Sequence, residues 1–177
     1  PHEEILSYEE IIRIVKQAAV LGICHIKITG GEPLVREGVA GLIKELKKLP
    51  GIQTVTLTTN GILLPRYISD LAEAGIDGIN ISLDTLEEKK FRKLTRNGEV
   101  KDVWKGISSV IPYDQINMKI NCVLAGKDWQ KDAVHVAEIA KKYRIHVRFI
   151  ELMPIQNQEE KGNLEEEIKA LLEDVYG

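Results

Sequence analysis

The chain has 177 residues, 44% of them hydrophobic and 29% charged, with a formal net charge of -3. This suffices for one sizeable core, and the slightly acidic balance offers no global case for binding nucleic acid or a membrane surface. No apolar run approaches the roughly 20 residues of a membrane span, and the opening PHEEILSYEE is acidic without the apolar core of a signal peptide, so a cytoplasmic address is expected.

Helix-like and strand-like stretches alternate along the chain. LSYEEIIRIVKQAAVLG opens with Ser7 as an N-cap and Glu10 as its capping-box partner. Ile11, Ile12, Val15, Ala18 and Ala19 recur at helical spacing, and Gly22 ends the run. The strand HIKIT then precedes a helix over EGVAGLIKELKKL. TVTLTTN precedes PRYISDLAEAG, where Pro65 suits a first helical turn. GINISLD precedes helices near EEKKFRKL and VKDVWKGISSVI. NMKINCVL precedes WQKDAVHVAEIAKKY, and HVRFIEL precedes a last helix whose start signal is Asn163 with Glu166. Five strands separated by helices predict parallel βαβ units, hence an α/β fold. PIQNQEEKGN, residues 154–163, is the only long polar loop.

The strands alternate in a telling way. A parallel strand covered on both sides is apolar on both faces. Here His25, Lys27 and Thr29 oppose Ile26 and Ile28, while Thr54, Thr56, Thr58 and Asn60 oppose Val55, Leu57 and Thr59. Asn80, Ser82 and Asp84 oppose Ile79, Ile81 and Leu83. Lys119 and Asn121 oppose Met118, Ile120 and Cys122, and His146 and Arg148 oppose Val147 and Phe149. Two readings fit: an antiparallel sheet with one wet side, or a curled parallel sheet whose inner face lines a polar cavity. The intervening helices favour the second, because parallel strands need crossovers. Lys27, Lys119 and Arg148 make that cavity cationic, which suits an anionic, polyhydroxylated ligand such as a nucleotide.

Other chemistries find less support. GGEPLVRE lacks the Gly-Lys-Ser/Thr ending of a P-loop and is not Gly-x-Gly-x-x-Gly. The four histidines show no ligand spacing, and Ser82 has no evident His and acid partner. Cys24 and Cys122 form no metal or redox pair and are expected to pack as small apolar groups. In a barrel, ligands bind at the C-terminal ends of strands, where Gly30-Gly31-Glu32, Thr59-Asn60-Gly61, Ser82–Asp84 and Glu151–Pro154 lie.

KITGGEPLVR, LTTNG, INISLD, MKINCVL and RFIELMP occur in the order and spacing of one family. From Pro1 to Pro154 the chain resembles the GTP 3′,8-cyclases, radical S-adenosylmethionine (SAM) lyases that open molybdenum cofactor (molybdopterin) biosynthesis. Gly-Gly-Glu-Pro alone marks the wider radical SAM superfamily; the five motifs together are more specific. The resemblance implies a partial (β/α) barrel, a partial TIM barrel, with five strands present and the first strand missing. It implies SAM and 4Fe-4S clusters as cofactors, and GTP as a substrate rearranged through a 5′-deoxyadenosyl radical. Gly30, Gly31, Glu32, Ser82 and Met153 match SAM-binding positions. Lys27, Thr58 and Lys119 match positions that hold GTP, with Lys27 standing where the family often has Arg. The family tends to dimerise. No catalytic residue is assignable.

The same resemblance implies a fragment. The cysteine loop that binds the family's SAM cluster would lie just before Pro1, and the three cysteines of a second cluster would lie beyond Gly177. Residues 1–154 are expected to form the barrel core, and 155–177 a loop and helix leading onward. No iron is expected within these 177 residues, and the fragment alone is expected to be inactive. Two other readings stay open: another radical SAM enzyme that modifies a peptide or small molecule, and a non-catalytic nucleotide-binding barrel.

Overall fold

The structure, a computed structural model, describes residues 5–143, 145–152 and 163–177. Five strands form one sheet: β1 (His25–Ile28), β2 (Thr54–Thr59), β3 (Gly78–Ser82), β4 (Asn117–Leu124) and β5 (His146–Glu151). Their spatial order follows chain order, and every neighbouring pair is parallel. Seven α-helices accompany them: α1 (Tyr8–Val20), α2 (Val39–Lys47), α3 (Leu64–Glu73), α4 (Glu88–Thr95), α5 (Val100–Val110), α6 (Trp129–Lys142) and α7 (Leu164–Tyr176). The antiparallel alternative is thereby excluded.

Strand order decides where the helices go. Parallel crossovers are right-handed, and an order that never reverses sends each crossover to the same side of the sheet. One face is therefore covered by helices. Its strand residues, Val55, Leu57, Ile79, Ile81, Ile120 and Cys122, are all fully buried. They meet Leu42, Ile43 and Leu46 of α2, Leu64 and Leu71 of α3, Val103 and Ile107 of α5, and Ala133 and Val136 of α6 in one core. Burying one such aliphatic side chain contributes about 1.5–3 kcal/mol, so this face dominates the stability of the sheet.

Local signals hold where they were clearest. The Ser7 hydroxyl accepts from the Glu10 N–H at 3.2 Å, and the Glu10 carboxylate accepts from the Ser7 N–H at 2.7 Å. Gly22, at φ +91°, follows the end of α1 in the left-handed conformation that glycine adopts without penalty. Asn163 does stand at the N-cap of α7, but its side chain makes no capping bond. That helix is instead held to α6, where the Tyr176 hydroxyl donates to the Val134 carbonyl at 3.1 Å. Among the described residues no helix is long and apolar enough to cross a membrane.

Candidate functional site

The uncovered face of the sheet carries the polar residues in three transverse rows. Neighbouring strands stand about 4.8 Å apart, so residues paired across the ladder form continuous lines. The lowest row runs Lys27, Thr56, Gly78, Asn117. The middle row runs Thr58, Asn80, Lys119, His146. The upper row runs Ser82, Asn121, Arg148, starting at the tip of β3 and lying below the tips of β4 and β5. A shallow hollow of about 300 Å³ lies on this face, lined by Lys27, Thr56, Asn80, Lys119, His146 and Arg148 among others. The cationic residues that alternation assigned to one face thus share one concavity, joined by Thr58 through its row.

Their charges are not spent elsewhere. Lys27, Lys119 and Arg148 form no salt bridge with any described residue. Among the described residues the one acid lining the hollow, Asp77, already accepts from the Lys47 ammonium at 2.8 Å and from the Val55 N–H at 2.6 Å. An anion entering the hollow therefore meets cations with unused donors. Asn80 is buried, and its side-chain amide donates to the Leu57 carbonyl at 3.3 Å. Asn121 is the residue that composition alone did not single out. Its side-chain oxygen is enclosed and accepts no hydrogen bond from the described residues. It sits in the row between Ser82 and Arg148.

At the strand tips the arrangement changes character. After β1 the chain turns through exposed Gly30 and Gly31, where a Cβ would meet nothing within 4 Å. Their backbone is open to close approach. Glu32 follows as N-cap of a 3-10 turn, Pro33–Val35. Its carboxylate accepts from the Leu34 N–H at 3.0 Å, the Thr59 hydroxyl at 2.8 Å and the Asn60 N–H at 2.7 Å. Glu32 thus ties the Gly-Gly loop to the end of β2 and spends its carboxylate on the protein's own donors.

Ser82 is exposed at the tip of β3, on the rim of a second hollow of about 310 Å³ shared with Asn60, Asp84, Ile62 and Phe91. The chain beyond it is firmly held. The Asp84 carboxylate accepts from the Val123 N–H at 2.9 Å. The Thr85 hydroxyl donates to buried Asp132 at 2.5 Å, and the Lys90 ammonium bonds the same carboxylate. Burial pushes the Asp84 carboxyl above its ordinary range and the Asp132 charge adds to this, while the Val123 N–H and Lys90 pull it down. Burial also pushes the Cys122 thiol up to about 12, with the Asp84 charge assisting. A thiol so protonated packs; it does not attack or ligate. Cys24 is half-buried and unpaired with Cys122.

Gly30, Gly31, Glu32 and Ser82 therefore lie at the same end of the sheet, at or beyond the strand tips, and Lys27, Thr58 and Lys119 lie on the sheet face below. Met153 lies outside the described residues. The order of the chain could not reveal the Glu32 strap or the Thr85–Asp132–Lys90 network, whose members are far apart in sequence.

The model of the radical SAM superfamily matches residues 1–128. The GTP 3′,8-cyclase of Heliobacterium modesticaldum is 47% identical over 154 residues, which cover 87% of this chain and 47% of that protein. The GTP 3′,8-cyclase of Moorella thermoacetica is 41% identical over 178 residues, 99% of this chain and 55% of that protein. The chain spans about half the length of the curated relatives it matches. Among solved structures, SuiB of Streptococcus suis, bound to S-adenosylmethionine, superposes with a TM-score of 0.73 at 20% identity, covering 97% of this chain and 39% of its own. TYW1 with a lysine-pyruvate adduct superposes at 0.65 with 22% identity, covering 95% and 60%. At such identities the likeness establishes the fold, a five-stranded parallel α/β sheet of the type these enzymes share. The chain belongs to the radical SAM superfamily.

Proposed function

We propose that the intact protein is a GTP 3′,8-cyclase and that this chain supplies its SAM- and GTP-binding surface. The observation that carries the reading is the cationic row structure: Lys27, Lys119 and Arg148 share one hollow on the uncovered sheet face, while the open Gly30-Gly31 backbone and Ser82 stand at the strand ends. The relatives named for this activity match this same stretch at 41–47% identity.

The residues fit the two small molecules. Open glycine backbone lets an amino-acid end approach closely. Glu32 anchors that loop, and Ser82 adds a hydroxyl at the neighbouring tip. Below, Lys27 and Lys119 neutralise a polyphosphate, with Thr58 in the same row as Lys119. Lysine at position 27 holds a phosphate as a point charge, without the two-pronged fork of arginine. Bound beside a 4Fe-4S cluster, SAM supplies the radical with which this superfamily starts its reactions. Among the described residues no three His, Cys, Asp or Glu side chains gather as a metal site, and no cluster ligand is assigned here.

The test uses the intact gene product. After anaerobic reconstitution with iron and sulfide, it is given SAM, reductant and GTP, and GTP loss is followed together with 5′-deoxyadenosine. GTP-dependent 5′-deoxyadenosine, lost in a Lys119→Ala variant, is the expected result. SAM cleavage that ignores GTP would move the substrate elsewhere in the superfamily.

A further inference from the structure

Helix α5 contains a glycine, Gly106, in a position where helices disfavour one. The reason is steric. A Cβ at Gly106 would collide with the Gly61 carbonyl oxygen, and the Gly61 carbonyl carbon would stand only 2.9 Å away. Gly61 is itself buried at φ +84°, and a Cβ there would press on Ile81 at 3.1 Å and Val103 at 3.5 Å. Two glycines thus let the backbone of the turn after β2 rest directly on the backbone of α5.

From that turn a chain of hydrogen bonds leads to the Gly-Gly loop. The Gly61 N–H donates to the Thr59 hydroxyl at 3.1 Å. The Thr59 hydroxyl, on a side chain 2% exposed, donates to Glu32 at 2.8 Å. The Asn60 N–H donates to the other Glu32 oxygen at 2.7 Å. We propose that Gly106 is a positioning residue for the SAM-binding loop, acting through the 59–61 turn and the Glu32 carboxylate on Gly30 and Gly31. The helix sets the height of the turn, the turn holds Glu32, and Glu32 fixes the glycine backbone. Lys27 and Lys119 lie outside this path and share no hydrogen bond with the turn, and of the proposed GTP residues only Thr58 adjoins it. The proposal rests on reading Gly30-Gly31 as the place where SAM binds.

The experiment uses the intact, cluster-loaded protein in four forms: wild type, Gly106→Ala, Thr59→Val and Thr59→Ser. Thr59→Val removes the hydroxyl without the clash at Gly106, and Thr59→Ser retains it. Equilibrium binding of SAM and of GTP is measured separately, and amide hydrogen exchange is followed over residues 29–36 and 59–61. Gly106→Ala and Thr59→Val should weaken SAM binding about tenfold to a hundredfold, the scale of an ångström-sized misplacement. GTP affinity should fall clearly less, by about threefold or less, because of its proposed contacts only Thr58 adjoins the turn. Exchange at Leu34 and Asn60 should quicken in both variants, and Thr59→Ser should behave as wild type. Unchanged SAM affinity and exchange in both variants would overturn the proposal. A parallel loss of SAM and GTP would overturn it too, since that marks a general folding defect. If wild type itself fails to bind SAM, the functional reading falls, and the exchange data still decide whether the turn holds the loop.

Discussion

The two faces of the sheet are built from the same strands and obey opposite rules. On the helix side, Leu57, Ile79, Ile81 and Ile120 are fully buried, and the polar strand residues there, Thr59 and Glu151, sit at strand tips. On the other side, one residue along each strand, Thr58, Asn80, Ser82 and Lys119 carry hydrogen-bonding groups, three of them with donors that the fold does not need. The first face explains why the chain folds. The second explains what the folded chain can hold. Side chains alternate with a period of two, so these roles interleave without mixing.

The largest expected effect tests that division directly. Leu57→Ala should lower stability by about 2–5 kcal/mol, the range for emptying a buried leucine site, read as a shift in the urea midpoint. Lys119→Ala should change stability by no more than about 0.5 kcal/mol, as for surface positions. The ranking reversed would mean that the cationic face is structural. In ligand binding the order inverts. Lys119→Ala should weaken nucleoside triphosphate binding by about 1.5–3 kcal/mol, the worth of a charged hydrogen bond, and flatten its dependence on salt. Titration of the intact protein at two salt concentrations measures both.

Asp77 belongs to both worlds, since it lines the hollow yet serves the fold. It accepts from the Val55 N–H and the Lys47 ammonium. Asp77→Ala leaves that buried N–H and the lysine without their partner, at a cost of about 1–3 kcal/mol. Thermal unfolding should show the loss, while triphosphate affinity should hold or rise because the hollow loses its only lining acid. A fall in affinity with stability intact would place Asp77 among the ligand-holding residues.

Much of this was legible in the sequence because the relevant signals are local. Alternation assigned Lys27, Thr58 and Lys119 to one face, and the helices between strands made the sheet parallel. What alternation cannot supply is register. Thr58 aligns with Lys119, while Lys27 falls one row lower, and those offsets exist only in the paired ladder. The Gly-Gly-Glu-Pro motif drew attention to Glu32, but not to the strap, because its partners Thr59 and Asn60 lie 27 and 28 residues away. VKDVWKGISSVI reads as a helix, with nothing drawn from Gly106 within it. Its reason, the Gly61 backbone, is 45 positions distant and appears only in three dimensions.

The smallest expected effect concerns the rim where the two faces meet. Burial, with the Asp132 charge, raises the Asp84 carboxyl above its ordinary 3.8, and the Val123 N–H and Lys90 offset this only in part. A carboxyl raised in the folded state holds its proton more tightly there than in the unfolded chain. Below pH 3.8 both states are protonated and ionisation has no cost. As pH rises from 3.8 through the higher folded value, the unfolded state ionises first and stability falls; beyond it the deficit is constant. Asp84→Asn cannot ionise, and its side-chain oxygen can still accept from Val123. The variant should therefore match wild type in acid and melt higher at neutral pH, with the gap opening across that window. Melting curves of the pair between pH 3 and 7 decide the point. A gap that closes as pH rises would show that Lys90 and the Val123 N–H outweigh burial. In that case the Asp84 charge is a stabilising part of the rim beside Ser82.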